Sequence, residues 1–244
     1  MSLSQREIHE AVLAVYNSVG QGGSRAPSGL DVATGGDLAR ALGYRPAELA
    51  CLPPHVLDAF VGAAALANAV PDAVPDEVED SRSRWVLDLG CGAGVDGLIL
   101  AARGFRVAAL DASAAMLALA PPRASRLAVR AALPELPVAT GLATWALLNG
   151  VANLVPARAA LLREVFRALR PGGVILAADL VQIGPIPLEL RALPEAWAWC
   201  VAGAATPEEW REELARAGFE DCEVTVIEEF SPLARAVLRA RKSP

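Results

Sequence analysis

Histidine is nearly missing from this chain. It occurs twice in 244 residues, as His9 and His55, and neither lies in the region that reads below as the core domain. The side chain that most often moves protons near neutral pH is therefore absent there, and no basic residue stands in a recognisable catalytic motif. Cysteine is sparse as well. Cys51, Cys91, Cys200 and Cys222 form no C-x-x-C pair, so they offer neither zinc spacing nor a disulfide framework and read as reduced thiols, with no metal site. Clusters of lysine and arginine are also lacking against a net charge of -6 and a pI near 5.1. Nothing in that balance draws the chain to nucleic acid or anionic lipid. The opening "MSLSQREIHE" has no basic segment followed by an apolar one, which implies a cytoplasmic setting. No charge interrupts Leu136 to Ala157, long enough to raise a membrane span. Pro137, Gly141, Asn149, Gly150, Asn153 and Pro156 fit a buried strand between loops instead, and no membrane partner is expected.

Aromatic residues are only 5% of the chain while apolar residues make up 54%. Small side chains, chiefly Ala, Val and Leu, must then pack helices and strands closely. The length suits one α/β domain with an extension, and neither internal repeats nor low-complexity tracts appear. Residues 1–80 read as a helical preface. Ile8, Val12, Val15 and Val19 mark an amphipathic helix over 4–18, followed by a Gly/Ser/Pro loop, "QGGSRAPSGLDVATGGD", and helices near 37–42 and 54–69. "PDAVPDEVEDSRSR" reads as an exposed linker before the core domain, residues 81–244.

From Trp85 onward the pattern changes. "WVLDLG", "RVAALD", "RLAVR", "ATWALLN" and "GVILAAD" are runs of strand length, alternating with helix-length segments from Val95, Ser113 and Pro156. Such alternation makes parallel pairing through right-handed crossovers, hence a doubly wound sheet. The helix over 156–170 has an apolar stripe of Leu161, Leu162, Val165 and Leu169 and stops at "PGG". Thr206 and Glu209 are spaced as a capping box for a helix ending at Ala217. Two strands near 221–229 and 234–241 close the sheet, and residues 183–217 are expected to cover its substrate side.

"WVLDLGCGAGVDGLILA" is a strand, a glycine loop and a helix, which lets backbone approach a ligand closely. Gly92, Gly94 and Gly97 satisfy G-x-G-x-x-G, so a dinucleotide such as NAD is one reading. Asp88 and Asp96, however, would repel a pyrophosphate and attract a cation. Asp111 ends the second strand, where a carboxylate takes both hydroxyls of a ribose. A ribose and a positive charge without phosphate describe S-adenosylmethionine. For Asp96 a loop-capping role remains open.

"VLDLGCGAG" followed by "RVAALDASAAML" resembles the cofactor-binding half of class I S-adenosylmethionine-dependent methyltransferases. The resemblance implies an α/β, Rossmann-like fold with seven strands, the last antiparallel. It implies that Asp88, Gly90, Cys91, Gly92 and Gly94 surround the methionine end, with Asp111 and Ala112 at the ribose. Where the family carries an acidic residue for the adenine amino group, this chain has Ala132, leaving backbone at Ala132 and Leu133 for that task.

Two later stretches, "LNGVANLVPARAALLREVFRALRPGGVILAADLV" and "LPEAWAWCVAGAATPEEWREELARAGFEDCEV", resemble arsenite methyltransferases. That family holds trivalent arsenic between cysteine thiolates, which suit a thiophilic centre. Cys200 matches the last of these, but the other two positions fall at Gly150 and about Ala63. One thiolate cannot chelate arsenic. Three readings follow: methyl transfer to another small-molecule acceptor, arsenite methylation with a weakened site, or a cofactor-binding protein without methyl transfer. Transfer needs a nucleophile held about 3 to 3.5 Å from the sulfonium methyl, so positioning supplies much of the rate. The shortage of histidine favours a soft or already anionic acceptor, with Glu, Asp or Tyr left as alternative bases. Asn149, ending the fourth strand, is the candidate for orienting cofactor or acceptor. Tyr16 resembles a tyrosine that the family brings over its active site, and a buried aromatic on an amphipathic helix is the alternative reading. Trp197 and Trp199 wall a pocket or fill the cover, His55 reads as a surface or packing residue, and Cys51 and Cys222 read as packed thiols. Oligomeric state is not legible.

Overall fold

The computed structural model describes residues 3–23, 34–72, 85–122 and 125–244. Most of the Gly/Ser/Pro loop and of the charged linker lies outside them. The preface begins with α1 (Gln5–Gly20), whose N-cap Ser4 and Glu7 form a reciprocal capping box. Then come α2 (Gly35–Ala41), α3 (Pro46–Leu49) and α4 (Pro54–Asp58).

The helix expected over 54–69 is not continuous. It stops at Asp58, and only a 3-10 turn, Leu66–Ala69, follows. The apolar run between them has its backbone engaged elsewhere. Asn149 Oδ1 accepts from the amides of Ala63 and Ala64, at 2.7 and 3.3 Å, while Asn149 Nδ2 donates to the Ala64 carbonyl at 2.8 Å. A side chain from the core thus replaces the helical partners that the Ala-rich composition suggests.

Strands β1 (Trp85–Leu89), β2 (Arg106–Asp111), β3 (Arg126–Arg130), β4 (Ala143–Asn149), β5 (Leu169–Gln182), β6 (Glu220–Phe230) and β7 (Leu233–Arg241) form one sheet in the order β3-β2-β1-β4-β5-β7-β6. The first five run parallel, and β7 is antiparallel to both β5 and β6. The seven strands and the reversed last strand agree with the sequence reading. The reversal of order at β1, with β2 on one side and β4 on the other, opens a crevice at the carboxyl edge.

Helices α5 (Val95–Ala102), α6 (Ala114–Leu119), α7 (Arg158–Ala168) and α10 (Pro207–Arg216) accompany the strands, with short α8 (Leu188–Arg191) and α9 (Pro194–Ala198) before the last. α7 starts and ends two residues inside the expected limits, because Leu169 is already extended and opens β5. Both faces of the central strands are buried, as near-continuous apolar runs require. Leu87, Leu89, Leu110 and Leu148 pack with Leu161, Val165, Trp210 and Leu214 on one face. Val86, Val107 and Leu147 pack on the other with Leu98 and Ile99, joined by Leu49, Val56 and Leu66 of the preface. The preface from Leu38 to Val70 therefore shares the core of the sheet.

The first helix crosses the carboxyl edge. Ser113 Oγ donates to Asn17 Oδ1 at 2.7 Å on the side of α6, and Tyr16 OH donates to the Ala198 carbonyl at 3.4 Å on the side of α9. It roofs the crevice. Among the described residues, no helix is long and apolar enough to cross a membrane.

Candidate active site

Beneath that roof lies a cleft of about 500 Å³, walled by Asp88, the loop Gly90 to Gly94, Asp111, Ala112, residues 131–134 and Asn149. Gly90, Gly92 and Gly94 have φ of 64°, 53° and 84°, so the loop folds through left-handed positions that other residues resist. Cys91 stands on this loop among the lining residues, and burial pushes its thiol well above the ordinary value.

The third glycine of the fingerprint has a different reason. A Cβ on Gly97 would lie 2.5 Å from Asp88 Oδ2. Gly97 N donates to that same oxygen at 3.1 Å, so this helix amide is committed to a carboxylate and is not offered to a phosphate. Gly97 is small because Asp88 lies against it. This removes the main support for a dinucleotide. Asp88 is 3% exposed, and burial, with Asp96 nearby, raises its pKa to about 7. Arg126 and the Gly97 amide oppose that shift. The protein holds an anion here at a cost that a cation would relieve.

Asp111 presents a prepared acceptor. Gly92 N donates to Oδ2 and Ser113 N to Oδ1, each at 2.8 Å, leaving lone pairs on both oxygens for vicinal hydroxyls. Ala112 flanks it, and Ala131, Ala132 and Leu133 form the wall beyond. Cleft volume, a carboxylate pair spaced by the loop and the absence of a phosphate cradle fit S-adenosylmethionine, which supplies an electrophilic methyl on a sulfonium.

Asp96 has the capping role left open by the sequence. Tyr44 OH and Ala67 N donate to its Oδ1 at 2.9 and 2.8 Å, and Asn149 Nδ2 to its Oδ2 at 2.8 Å. Asn149 lines the cleft, yet both ends of its amide are engaged by Ala63, Ala64, Tyr44 and Asp96. Its polar atoms clamp the preface to the loop. Tyr44 was not legible as part of the site, for it sits in the preface 52 residues from Asp96.

A second chamber, about 80 Å³, adjoins the cleft; Tyr16, Val61, Gly62 and Gly150 line both. Ala63, Gly150 and Cys200, the three positions matched to arsenic-binding cysteines, meet here. Only one thiol is present. Cys200 adopts φ 62°, an uncommon left-handed conformation for a side-chain-bearing residue, and its Sγ lies 3.4 Å from the Gly150 carbonyl oxygen. Burial and Asp179 push the thiol well above its ordinary pKa. It is a neutral donor here, not a thiolate.

Asp179 was missed. It ends "GVILAAD", one step beyond Ala178, which pairs with Asn149 across β4 and β5. The carboxyl-edge rule that singled out Asn149 applies equally to it. Asp179 is 1% exposed and lines the chamber with Tyr16, Trp199, Cys200 and Arg235. Oδ2 accepts from Asn153 N at 3.0 Å and Oδ1 from Leu180 N at 2.9 Å. Its pKa is raised by burial. Tyr16, partly buried, is held well above its usual range by burial and by the nearby Cys200 and Asp179.

Other expected positions fall as follows. His9 joins the cleft wall although it belongs to the preface. His55 is exposed, with Nε2 2.9 Å from the Leu119 carbonyl oxygen. Cys222 is partly buried, but Cys51 is exposed, contrary to its reading as packed, because α3 ends in a surface turn where its thiol donates to the Ala47 carbonyl.

The glycine loop, the Asp111 carboxylate at the end of β2 and the reversed seventh strand define a class I S-adenosylmethionine-dependent methyltransferase fold. The chain belongs to the methyltransferase-domain family, whose profile matches residues 80–218. An arsenite methyltransferase of Halobacterium salinarum is 34% identical over 154 residues, which is 59% of this chain and 39% of that protein. The chain thus spans well under half of that relative. Among solved structures, an arsenic(III) S-adenosylmethionine methyltransferase from Chlamydomonas reinhardtii is 21% identical with a TM-score of 0.60, covering 81% of this chain and 72% of that one. The cyclase SpnF, 16% identical, reaches a TM-score of 0.61 over 99% of this chain and 98% of its own. At such identities these two establish a shared fold.

Proposed function

We propose that the protein transfers a methyl group from S-adenosylmethionine to a small-molecule acceptor other than free arsenite. The frame is that of an arsenite methyltransferase whose thiol site has been lost. One observation carries this reading: Ala63, Gly150 and Cys200 converge on a single chamber beside the cleft, and only the last offers sulfur. A metalloid that needs several thiolates has no ligand set there. The residue chemistry supports the donor side in turn. Asp111 orients the ribose, Asp88 and the loop Gly90 to Gly94 face the sulfonium and amino end, and Ala132 and Leu133 receive the adenine. Tyr16 and the segment carrying Cys200 close the acceptor side, with Asn149 holding the wall between.

Thermal unfolding tests the donor side, since a ligand that binds only the native state raises its stability. S-adenosylhomocysteine shifts the midpoint upward and NAD does not. Incubation with methyl-labelled cofactor tests the acceptor side. Label does not move to arsenite supplied with glutathione, whereas a small-molecule extract accepts it. Efficient labelling of arsenite would restore the arsenite methyltransferase reading. Tight S-adenosylhomocysteine binding without transfer to any fraction would make the protein a binding module.

A further inference from the structure

The small chamber has lost two sulfur positions and kept a carboxylate. Asp179 is buried, faces the chamber, receives one backbone amide on each oxygen from Asn153 and Leu180, and is hydrogen-bonded as well by the neutral thiol of Cys200. A carboxylate so solvated keeps free lone pairs pointing to a space that shares a wall with the cofactor cleft. The guanidinium of Arg235, which lines the chamber, is paired through one nitrogen with Glu228, so its charge is already offset. Arg158 also faces Asp179, but it is bound by Glu213, at 2.6 and 2.9 Å. An anionic acceptor entering here meets Asp179 in a site with little water to screen it. A protonated amine meets a partner.

We propose that Asp179 is the acceptor-side catalytic residue and that the acceptor is a small primary or secondary amine bound as its ammonium. This rests on methyl transfer as proposed above and names its substrate class. The ammonium hydrogen-bonds the Asp179 carboxylate, which takes one of its protons. The freed nitrogen lone pair attacks the sulfonium methyl; the N–C bond forms, the C–S bond breaks, and its electrons leave the donor as a neutral thioether. The positive charge passes to the methylated ammonium, and Asp179 releases its proton to solvent. The Tyr16 hydroxyl, which donates to the Ala198 carbonyl, and the Cys200 thiol, which is engaged by Gly150 and Asp179, stay protonated and line the chamber without taking part in the proton transfer. His9 does not compete for the role. It lies seven residues before Tyr16 on α1, about 10 Å along the helix, beside the outer part of the cleft.

This removes the sequence-based preference for a soft or anionic acceptor, which rested on the lack of a base. Three probes of similar size separate the chemistries: ethanolamine, 2-mercaptoethanol and glycolate. Each is added to protein saturated with S-adenosylhomocysteine for thermal unfolding, and to protein with methyl-labelled donor for transfer. Ethanolamine is expected to raise the midpoint further and to take label at least tenfold faster than the other two. Asp179→Asn should abolish the ethanolamine effects while keeping the S-adenosylhomocysteine shift. Preference of the wild type for the thiol or the carboxylate overturns the proposal, as does no response to ethanolamine at 100 mM, roughly the weakest binding that the assay reads. These comparisons in the wild-type protein decide the matter even if the variant fails to fold. Failure of S-adenosylhomocysteine itself to bind is a separate result, and it overturns the methyltransferase reading along with this one.

Discussion

Asp88 sits under the glycine loop with a pKa near 7, raised first by burial and then by Asp96, so its charge changes in the range where the protein can be assayed. In the unfolded chain an aspartate ionises near pH 3.9. Between about pH 4 and pH 7 the native state therefore binds more protons than the unfolded state, and unligated stability falls as pH rises. At about 1.4 kcal/mol for each unit, the full effect is at most about 4 kcal/mol. Binding a cation reverses the preference. If the complex requires the carboxylate, affinity follows its ionised fraction, which rises from about one tenth at pH 6 to about three quarters at pH 7.5. S-adenosylmethionine should bind about eightfold more tightly at the higher pH, measured by isothermal titration calorimetry in buffers of differing ionisation enthalpy, with proton release on binding falling from about 0.9 proton at pH 6 to about a quarter at pH 7.5. Asp88→Asn should flatten the profile. Asp96, Asp111 and Arg126 also influence Asp88, and His9 lines the same cleft, so a His9→Gln control should keep the slope. A flat profile in the wild type, or an unchanged slope in Asp88→Asn, would refute the assignment.

Gly97→Ala places a methyl 2.5 Å from Asp88 Oδ2, so it should cost about 1–3 kcal/mol in urea unfolding and weaken S-adenosylhomocysteine binding. A neutral result would mean that Asp88 does not rest on the helix. Asn149→Ala removes the amide that joins Ala63, Ala64, Tyr44 and Asp96, and leaving these buried groups unpaired should cost about 3 kcal/mol. If stability holds while cofactor binding collapses, Asn149 is a ligand contact and not a clamp. Ala63→Cys puts a second thiol into the chamber with Cys200, and arsenite is expected to raise the midpoint of this variant and to leave that of the wild type unchanged. Gly150 is left alone in that variant because its φ of 71° penalises a side chain. No arsenite effect would mean that Ala63 and Cys200 do not stand where two thiols can share one arsenic.

The sheet was legible because its strands are apolar runs bounded by turn residues, and that pattern depends only on local sequence. Likewise, "WVLDLGCGAGVDGLILA" declares its loop, and Asp111 its place at a strand end. The preface was less legible. Ala-rich composition favours helix over 54–69, but the partner that diverts the backbone of Ala63 and Ala64 is Asn149, more than eighty residues away. Local propensity cannot register such a competitor.

Sequence by itself thus determined the α/β class, the doubly wound character of the sheet, the acids at the loop and the solitary status of Cys200. Each follows from periodicity, turn chemistry or residue identity. Tertiary structure alone decided what stands beside what: that Gly97 accommodates Asp88, that Asn149 is spent on the preface, and that Asp179 shares a chamber with Cys200 and Tyr16. Those relations join α1, β4, β5 and the segment after α9, which are distant along the chain. They come together because the carboxyl ends of parallel strands share one edge, and the roof over that edge brings its own side chains to it.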